Sequence, residues 1–334
     1  MARNLAKFVS AMLFFLYLRL MVEFDTNYKR TNGQYFTQNN PFENLAFMEW
    51  SKACDSWNQI ILEPFAGANN LIKMLKNMKL CKGFVSYDIE PKNKNVLYKD
   101  TLFDFPKGYN VCITNPPYLA KNSATRRKLN YPHTDYDDLY KYALSKCLEN
   151  CENVGAIIPA SFLNSGLFRN RLSHYILLSS KMFNDTEHPV CLALFKKSSR
   201  RIKIYDGENY IGLLSELERK LPKGNDSSEI KFNDKSGKLG LIAIDNTIEP
   251  SIKFIRGEEI PPDRIVFTSR SITRITIRER NINGLIKKLN SSLNKFRDET
   301  ADIFLTPFKG IRKDGRYRRR LDFSMARSLI GEVA

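Results

Sequence analysis

The chain has 334 residues, 43% hydrophobic and 27% charged, which is enough to bury a sizeable core and to form one large and one smaller domain. Its 53 lysines and arginines exceed the 36 acidic residues by 17, a balance that favours a polyanionic partner, nucleic acid before an anionic membrane. Six cysteines and three histidines contain no Cys-x-x-Cys pair, so no metal site is expected. Cys147 and Cys151, one helical turn apart, read as core-facing thiols of a protein kept in a reducing cytoplasm.

An apolar run from Phe8 to Leu18, flanked by Arg3, Lys7 and Arg19, superficially resembles a signal sequence. It is short for a membrane span, and no small-residue cleavage site comes after it. Residues 1–29 are therefore expected to be an extension, either a short extra helix or the product of an upstream start codon with Met21 as the functional beginning. Gly33-Gln34-Tyr35-Phe36-Thr37 precedes a helix expected from near Pro41 and Phe42 through Trp50. Tyr35 and Phe36 either touch a ligand or pack beneath a sheet.

Ile60-Ile61-Leu62-Glu63-Pro64-Phe65-Ala66-Gly67-Ala68 reads as a buried strand and a tight turn of small residues, and Asn69-Asn70-Leu71-Ile72 leads into a helix. Gly67 and Ala68 leave room for a ligand to approach the backbone at a helix amino terminus, although the repeated glycines of a dinucleotide fingerprint are missing. Gly83 to Asp88 is a second strand ending in an acid, about twenty residues on, where a carboxylate can take ribose hydroxyls. Asp100 closes a plausible third strand.

Val111-Cys112-Ile113-Thr114 ends abruptly in Asn115-Pro116-Pro117-Tyr118. The prolines fix two φ angles and remove two backbone donors, so strand pairing stops and a stiff turn begins. Asn115 offers an amide oxygen, and Asn115 and Pro116 offer backbone carbonyls. Tyr118 adds a flat face. Acceptors converging beside a stacking surface suit an exocyclic amino group on a planar ring. Residues 119–138 are expected to be a long basic loop, with Lys121, Arg126 and Arg127 placed to hold phosphates. Asp137 and Asp138 open a helix whose Tyr140, Ala143, Leu144, Cys147 and Leu148 share a face. Val154–Pro159 and Val190–Phe195 are further strands, and the alternation of strands and helices implies a mostly parallel sheet.

Beyond about residue 198 the pattern changes, and this shorter part carries more than half of the positive excess. Arg270 and Arg274 recur among β-branched residues around Ile272–Ile277, which suits a strand with one core face and one wet face. Arg316, Arg318 and Arg319 form a second cluster around Tyr317. Arginine forks onto guanine edges as well as phosphates, so these clusters fit DNA recognition.

The ordered set Glu63-Pro64-Phe65-Ala66-Gly67, Asp88, Asp100 and Asn115-Pro116-Pro117-Tyr118 resembles the S-adenosylmethionine-dependent DNA adenine-N6 methyltransferases that place their cofactor motifs first and their DNA-recognition region last. Gly33 to Thr37 is similar to that family's amino-terminal motif. The resemblance covers roughly residues 30–197, with departures at Asn69, where a second glycine is frequent, and Gln38, where proline is usual.

The resemblance implies an α/β, Rossmann-like methyltransferase domain with a mostly parallel seven-stranded sheet over residues 30–197. A smaller basic target-recognition domain is implied over residues 198–334. It implies that Tyr35, Phe36, Thr37, Glu63, Pro64, Phe65, Ala66, Gly67, Asp88, Asp100 and Asn115 bind S-adenosyl-L-methionine. Phe65 would pack on its adenine, Asp88 take its ribose hydroxyls, Asp100 its amino group, and Glu63 lie near its methionine amino group. Asn115, Pro116, Pro117 and Tyr118 would act on the N6 amino group of an adenine flipped out of duplex DNA. A cytoplasmic monomer is implied, working in a restriction–modification system whose cognate endonuclease is a functional partner. The alternative is the same chemistry on adenine in RNA or on a protein glutamine.

Overall fold

The computed structural model describes residues 37, 39–178, 182, 188–224, 230–266 and 270–333. The expectations for the extension (1–29) and for Tyr35, Phe36 and Gln38 lie outside those residues. The described chain forms two compact units. The first holds Phe47–Ile158 with Thr37 and residues 39–43. The second holds Asn44–Ala46 and most of the chain from Pro159 onward.

The first unit is a five-stranded parallel sheet in the order β3-β2-β1-β4-β5: β1 (Ile60–Glu63), β2 (Gly83–Asp88), β3 (Leu97–Tyr98), β4 (Val111–Thr114) and β5 (Asn153–Pro159). β4 is buried along its whole length and β5 at its five middle residues, as continuous apolar runs in parallel sheets usually are. The order reverses at β1, whose neighbours are β2 on one side and β4 on the other. That switch places the carboxyl ends of β1, β2 and β4 around one crevice.

The helices form where spacing and caps dictate. α1 (Leu45–Ala53) starts later than the sequence suggests. The Asn40 carboxamide accepts from the Phe42 amide and Asn44 does the same for Ala46, which holds the preceding residues in turns. α2 (Asn70–Asn77) buries Leu71, Ile72 and Leu75 on one stripe. α4 (Leu139–Asn150) is capped by the Asp138 carboxylate on the Tyr140 amide and buries the expected face, Cys147 included; Cys151 just beyond it is also buried.

Residues 119–138 are not a structureless loop. They contain α3 (Lys121–Arg126), closed by an antiparallel bridge from Ala120 to Asp138 and by a bond from the Lys121 amide to the Asp137 carbonyl. Leu119, Ala124 and Leu139 form a small core beneath it, with Leu102, Leu129, Tyr131 and Tyr142 packed around. The basic residues Lys121, Arg126 and Arg127 lie on the outer face of this packed piece.

In the second unit, β6 (Leu172–Leu177) pairs antiparallel with β7 (Val190–Phe195) and parallel with β8 (Lys203–Asp206), which pairs antiparallel with β9 (Asn209–Leu213). The mostly parallel sheet expected from the resemblance is present, with its five parallel strands β1–β5 in the first unit. A short α5 (Leu214–Glu218) leads to an antiparallel sheet in the order β10-β13-β11-β12. Its strands are β10 (Lys231–Phe232), β11 (Leu239–Ile242), β12 (Lys253–Arg256) and β13 (Ile272–Thr276). β13 alternates as expected, with Thr273 and Ile275 inward. α6 (Ile282–Thr300), the hairpin β14 (Thr306–Ile311) and β15 (Tyr317–Arg320), and α7 (Phe323–Val333) complete the unit.

One buried acid ties these last elements together. Asp245 is 0% exposed. It accepts from the Ser251 and Ile252 amides, from both terminal nitrogens of Arg297, from Arg312 and from the Arg319 amide. Arg297 also forks onto Asp302, and Arg312 onto Asp314. A buried charge pair costs desolvation and is tolerated only when its remaining lone pairs and protons are also bonded, as they are here.

Candidate active site

The turn after β1 is held by β2. The Ala66 amide donates to the Tyr87 carbonyl over 2.9 Å and the Gly67 amide to Asp88 Oδ2 over 2.7 Å, while Asp88 Oδ1 accepts from the Glu90 amide at 2.7 Å. Gly67 has φ +48°, a conformation that suits a residue without Cβ. Asn69 takes φ +64°, stands as the residue before α2, and accepts from Ser86 Oγ at 2.9 Å. Asparagine tolerates the left-handed region. The departure from glycine at this position is thereby accommodated, its side chain bonded inward.

A cavity of about 230 Å³ opens at the carboxyl ends of β1, β2 and β4. Glu63, Phe65, Ala66, Gly67, Asp88, Asp100, Asn115 and Pro117 line it, as does Thr37. Most of the expected cofactor residues in the described chain are thus together. Pro64, Pro116 and Tyr118 are not part of this wall: the Pro64 carbonyl accepts from Thr101 Oγ1 at 2.7 Å and Pro116 is buried. The wall also uses residues the sequence did not single out, among them Asn70, Leu71, Ile89, Lys99, Leu102 and Leu139. Ile89 carried a signal, since it directly succeeds the strand-ending acid, where a side chain covers whatever that acid holds. Leu139 carried none, because only the fold brings the start of α4 to the turn.

Glu63 is 1% exposed. Its Oε1 accepts from Thr114 Oγ1 at 2.7 Å and from the Phe65 amide at 3.3 Å, and its Oε2 has no hydrogen-bond partner among the described residues. Burial pushes its carboxyl up to about 8, against those two donors and with help from the negative charge of Asp88. Burial also raises Asp88, opposed by its two backbone donors. Asp100 is exposed and its Oδ1 caps the next turn, accepting from the amides of Leu102 at 3.1 Å and Phe103 at 3.3 Å.

Asn115 projects from the end of β4, half-buried. Its Nδ2 donates to Thr37 Oγ1 over 3.4 Å, and Asn70 Nδ2 donates to the Thr37 carbonyl over 2.9 Å, so Thr37 joins the two turns. The Tyr118 hydroxyl lies 2.6 Å from Asn115 Oδ1 and 2.7 Å from the Ile157 carbonyl, and the ring meets Tyr140 edge-on at 6.1 Å. The turn is therefore braced from behind by β5 and α4.

The basic candidates separate by environment. Lys121, Arg126 and Arg127 are exposed on and just after α3, with Lys121 Nζ on the Thr134 carbonyl. Arg270 and Arg316 are exposed in the second unit. Arg274 spends its fork on the carbonyls of Ile260 and Lys235, and Arg318 donates to the Asp245 carbonyl while lying over the Phe308 ring. Arg319, expected as a DNA contact, is 2% exposed. That expectation is corrected: alternation along β15 turns its side chain inward. Among the described residues, no helix is long and apolar enough to cross a membrane.

No curated protein matches the chain. Among solved structures it is similar to the type IIG restriction endonuclease BpuSI, with 15% identity and a TM-score of 0.37 over 53% of this chain and 27% of that one. The methyltransferase subunit of a type I restriction–modification system from Streptococcus thermophilus gives 14%, 0.36, 56% and 52% in the same order. The EcoKI M protein of a type I restriction enzyme gives 11%, 0.35, 77% and 69%. The chain thus spans less than two thirds of the length of the first two. Residues 6–185, more than half of the chain and including the whole cavity wall, match the Eco57I restriction-modification methylase family. The chain belongs to that family.

Proposed function

We propose that the chain is a site-specific DNA methyltransferase acting on N6 of an adenine turned out of the duplex, within a short recognition sequence. On this reading it shields DNA from a cognate restriction endonuclease. Methylases of this family take their methyl group from S-adenosyl-L-methionine, and the cavity fits that cofactor by chemistry: apolar walls for a planar base, carboxylates for hydroxyl and amino groups, and a buried acid with an unpartnered oxygen for a cation. The observation that carries the proposal is the Asn115-Pro116-Pro117-Tyr118 turn at the carboxyl end of β4, with Asn115 in the wall of that cavity.

Bound there, the cofactor supplies an electrophilic methyl group on its sulfonium. Phe65, Ile89 and Leu102 offer the apolar contact for its base. Asp88 keeps a second lone pair on each oxygen for ribose hydroxyls while bracing the Gly67 turn, and Asp100 accepts from the base's amino group. The Asn115 oxygen and the Pro116 carbonyl accept the two hydrogens of the target amino group. This favours a pyramidal nitrogen with a more localised lone pair. Catalysis is then positioning and electrostatics; no general base stands among Asn115, Pro116, Pro117 and Tyr118, and the proton that the methylated nitrogen sheds passes to solvent. The exposed Lys121, Arg126 and Arg127 of the first unit and Arg270 and Arg316 of the second are assigned to phosphates.

Transfer of labelled methyl from S-adenosyl-L-methionine to unmethylated duplex DNA, with nucleoside analysis of the product, tests the reaction. N6-methyladenine within one short recurring sequence is the expected product. Label found in RNA or on glutamine would replace the substrate. Asn115→Ala should abolish transfer while calorimetric cofactor affinity stays within a few-fold; equal loss of both would remove Asn115 from the chemistry.

A further inference from the structure

Four acids line the cavity, and they are not equivalent. Asp88 is engaged by the Gly67 and Glu90 amides, Asp100 by those of Leu102 and Phe103, and Glu90 pairs with Lys92 at the surface. The nearby Lys99 pairs with Asp104. Glu63 differs from all of them. It is 1% exposed, its donors are Thr114 and Phe65 on one oxygen, and its other oxygen meets no hydrogen-bond partner among the described residues. The charged group nearest in effect is Asp88, which is negative and pushes Glu63 further towards its neutral form. Among the described residues, no cation is paired with Glu63. A carboxylate in such a place is unstable alone and becomes stable when a ligand brings a positive charge.

We infer that S-adenosyl-L-methionine binding expels one proton from this site, and that the proton is that of the Glu63 carboxyl. The inference rests on the cofactor reading above. The ligand carries two cationic centres, a sulfonium and an ammonium, and either one beside Glu63 converts a neutral acid into half of an ion pair. The balance is simple: the Glu63 O–H bond breaks, the proton passes to solvent, and no other bond is made or broken. In the cofactor-free protein the carboxyl is held up to about 8, so it is protonated at pH 7. Its Oε1 faces Thr114 from β4, and Asp88 from β2, Glu90, Lys99 and Asp100 share the cavity rim.

The test is titration calorimetry of the full chain with S-adenosyl-L-methionine at pH 7 in phosphate and in Tris, two buffers with different ionisation heats. Dissociation constants are then measured at pH 6 and pH 7, below the range where an α-amino group titrates. The expected result is a buffer-dependent heat equal to nearly one proton released per site, and affinity about tenfold tighter at pH 7 than at pH 6. Glu63→Gln should remove both the proton release and the pH slope. Should that variant fail to fold, the wild-type data decide alone. Binding with no proton release and no pH slope overturns the inference and leaves the cofactor reading standing. No binding at either pH overturns both.

Discussion

Thr114→Val probes the buried acid through its partner. Thr114 is 0% exposed at the end of β4 and donates to Glu63 Oε1 over 2.7 Å, so the exchange removes one donor with little change of volume. Below the Glu63 titration the acid is neutral, and losing this bond costs about 1 kcal/mol, the usual net value of a neutral hydrogen bond. Above it, the bond removed is one to a carboxylate, worth roughly 1.5–3 kcal/mol. Linkage sets the sign. The native carboxyl is raised to about 8 from an ordinary value of 4.5, so between those values the native state holds a proton that the unfolded chain has released. Stability of the cofactor-free protein therefore falls as pH rises through this window, by on the order of 1 kcal/mol per pH unit, and levels off above it. Thr114→Val should push Glu63 higher still and carry the decline further into alkali. Urea unfolding at pH 6 and pH 9, read by circular dichroism, measures the difference. A loss at pH 9 exceeding that at pH 6 by about 1 kcal/mol is expected. An equal loss, or a larger one at pH 6, would show that Glu63 is already ionised in the folded protein.

The same geometry sets three further outcomes. Asp88→Ala removes the acceptor of the Gly67 and Glu90 amides and should weaken cofactor binding by about tenfold to a hundredfold, a value discounted for partial exposure; affinity within twofold of wild type in calorimetry would mean the turn holds itself. Asp245→Asn leaves Arg297 and Arg312 buried without their shared countercharge and should lower unfolding stability by about 3–5 kcal/mol, whereas a change below about 1 kcal/mol would show the cluster to be dispensable. Replacing Lys121, Arg126 and Arg127 together by alanine should flatten the dependence of log K for DNA on log salt by about 0.9 for each phosphate no longer neutralised. An unchanged slope would take the face of α3 out of the DNA interface.

Much of the site was legible in the chain because its parts are local. Glu63, Asp88 and Asn115 each end an apolar run, and a run that stops at a polar residue fixes a strand terminus without help from the fold. Parallel pairing then brings those termini to one edge. In the chain Asn69 is only a departure from glycine; its positive φ and its bond with Ser86 belong to the fold. Residues 119–138 read as a loop in the chain because their charge is local, whereas the apolar partners that order them, Leu102, Leu139 and Tyr142, lie outside the segment or at its edge.

The arginines show where sequence stops. Arg274, Arg316, Arg318 and Arg319 share one residue type and one kind of neighbourhood in the chain, yet two are tied to distant carbonyls, one is buried and one is exposed. Their partners stand far away in sequence: Asp245 meets the Arg318 side chain and the Arg319 amide from 73 and 74 residues back. A guanidinium has five donors and no preference between a phosphate, a carboxylate and a carbonyl until something is placed before it. The sequence by itself determined the strand ends, the acids on them and the stiff Asn-Pro-Pro-Tyr turn, since backbone sterics and periodicity within a few residues dictate each of them. Only the tertiary structure decided that Glu63 is buried at the cavity, that Leu139 walls the same cavity, and which basic groups still face solvent. Burial and long-range pairing are properties of what the chain packs against.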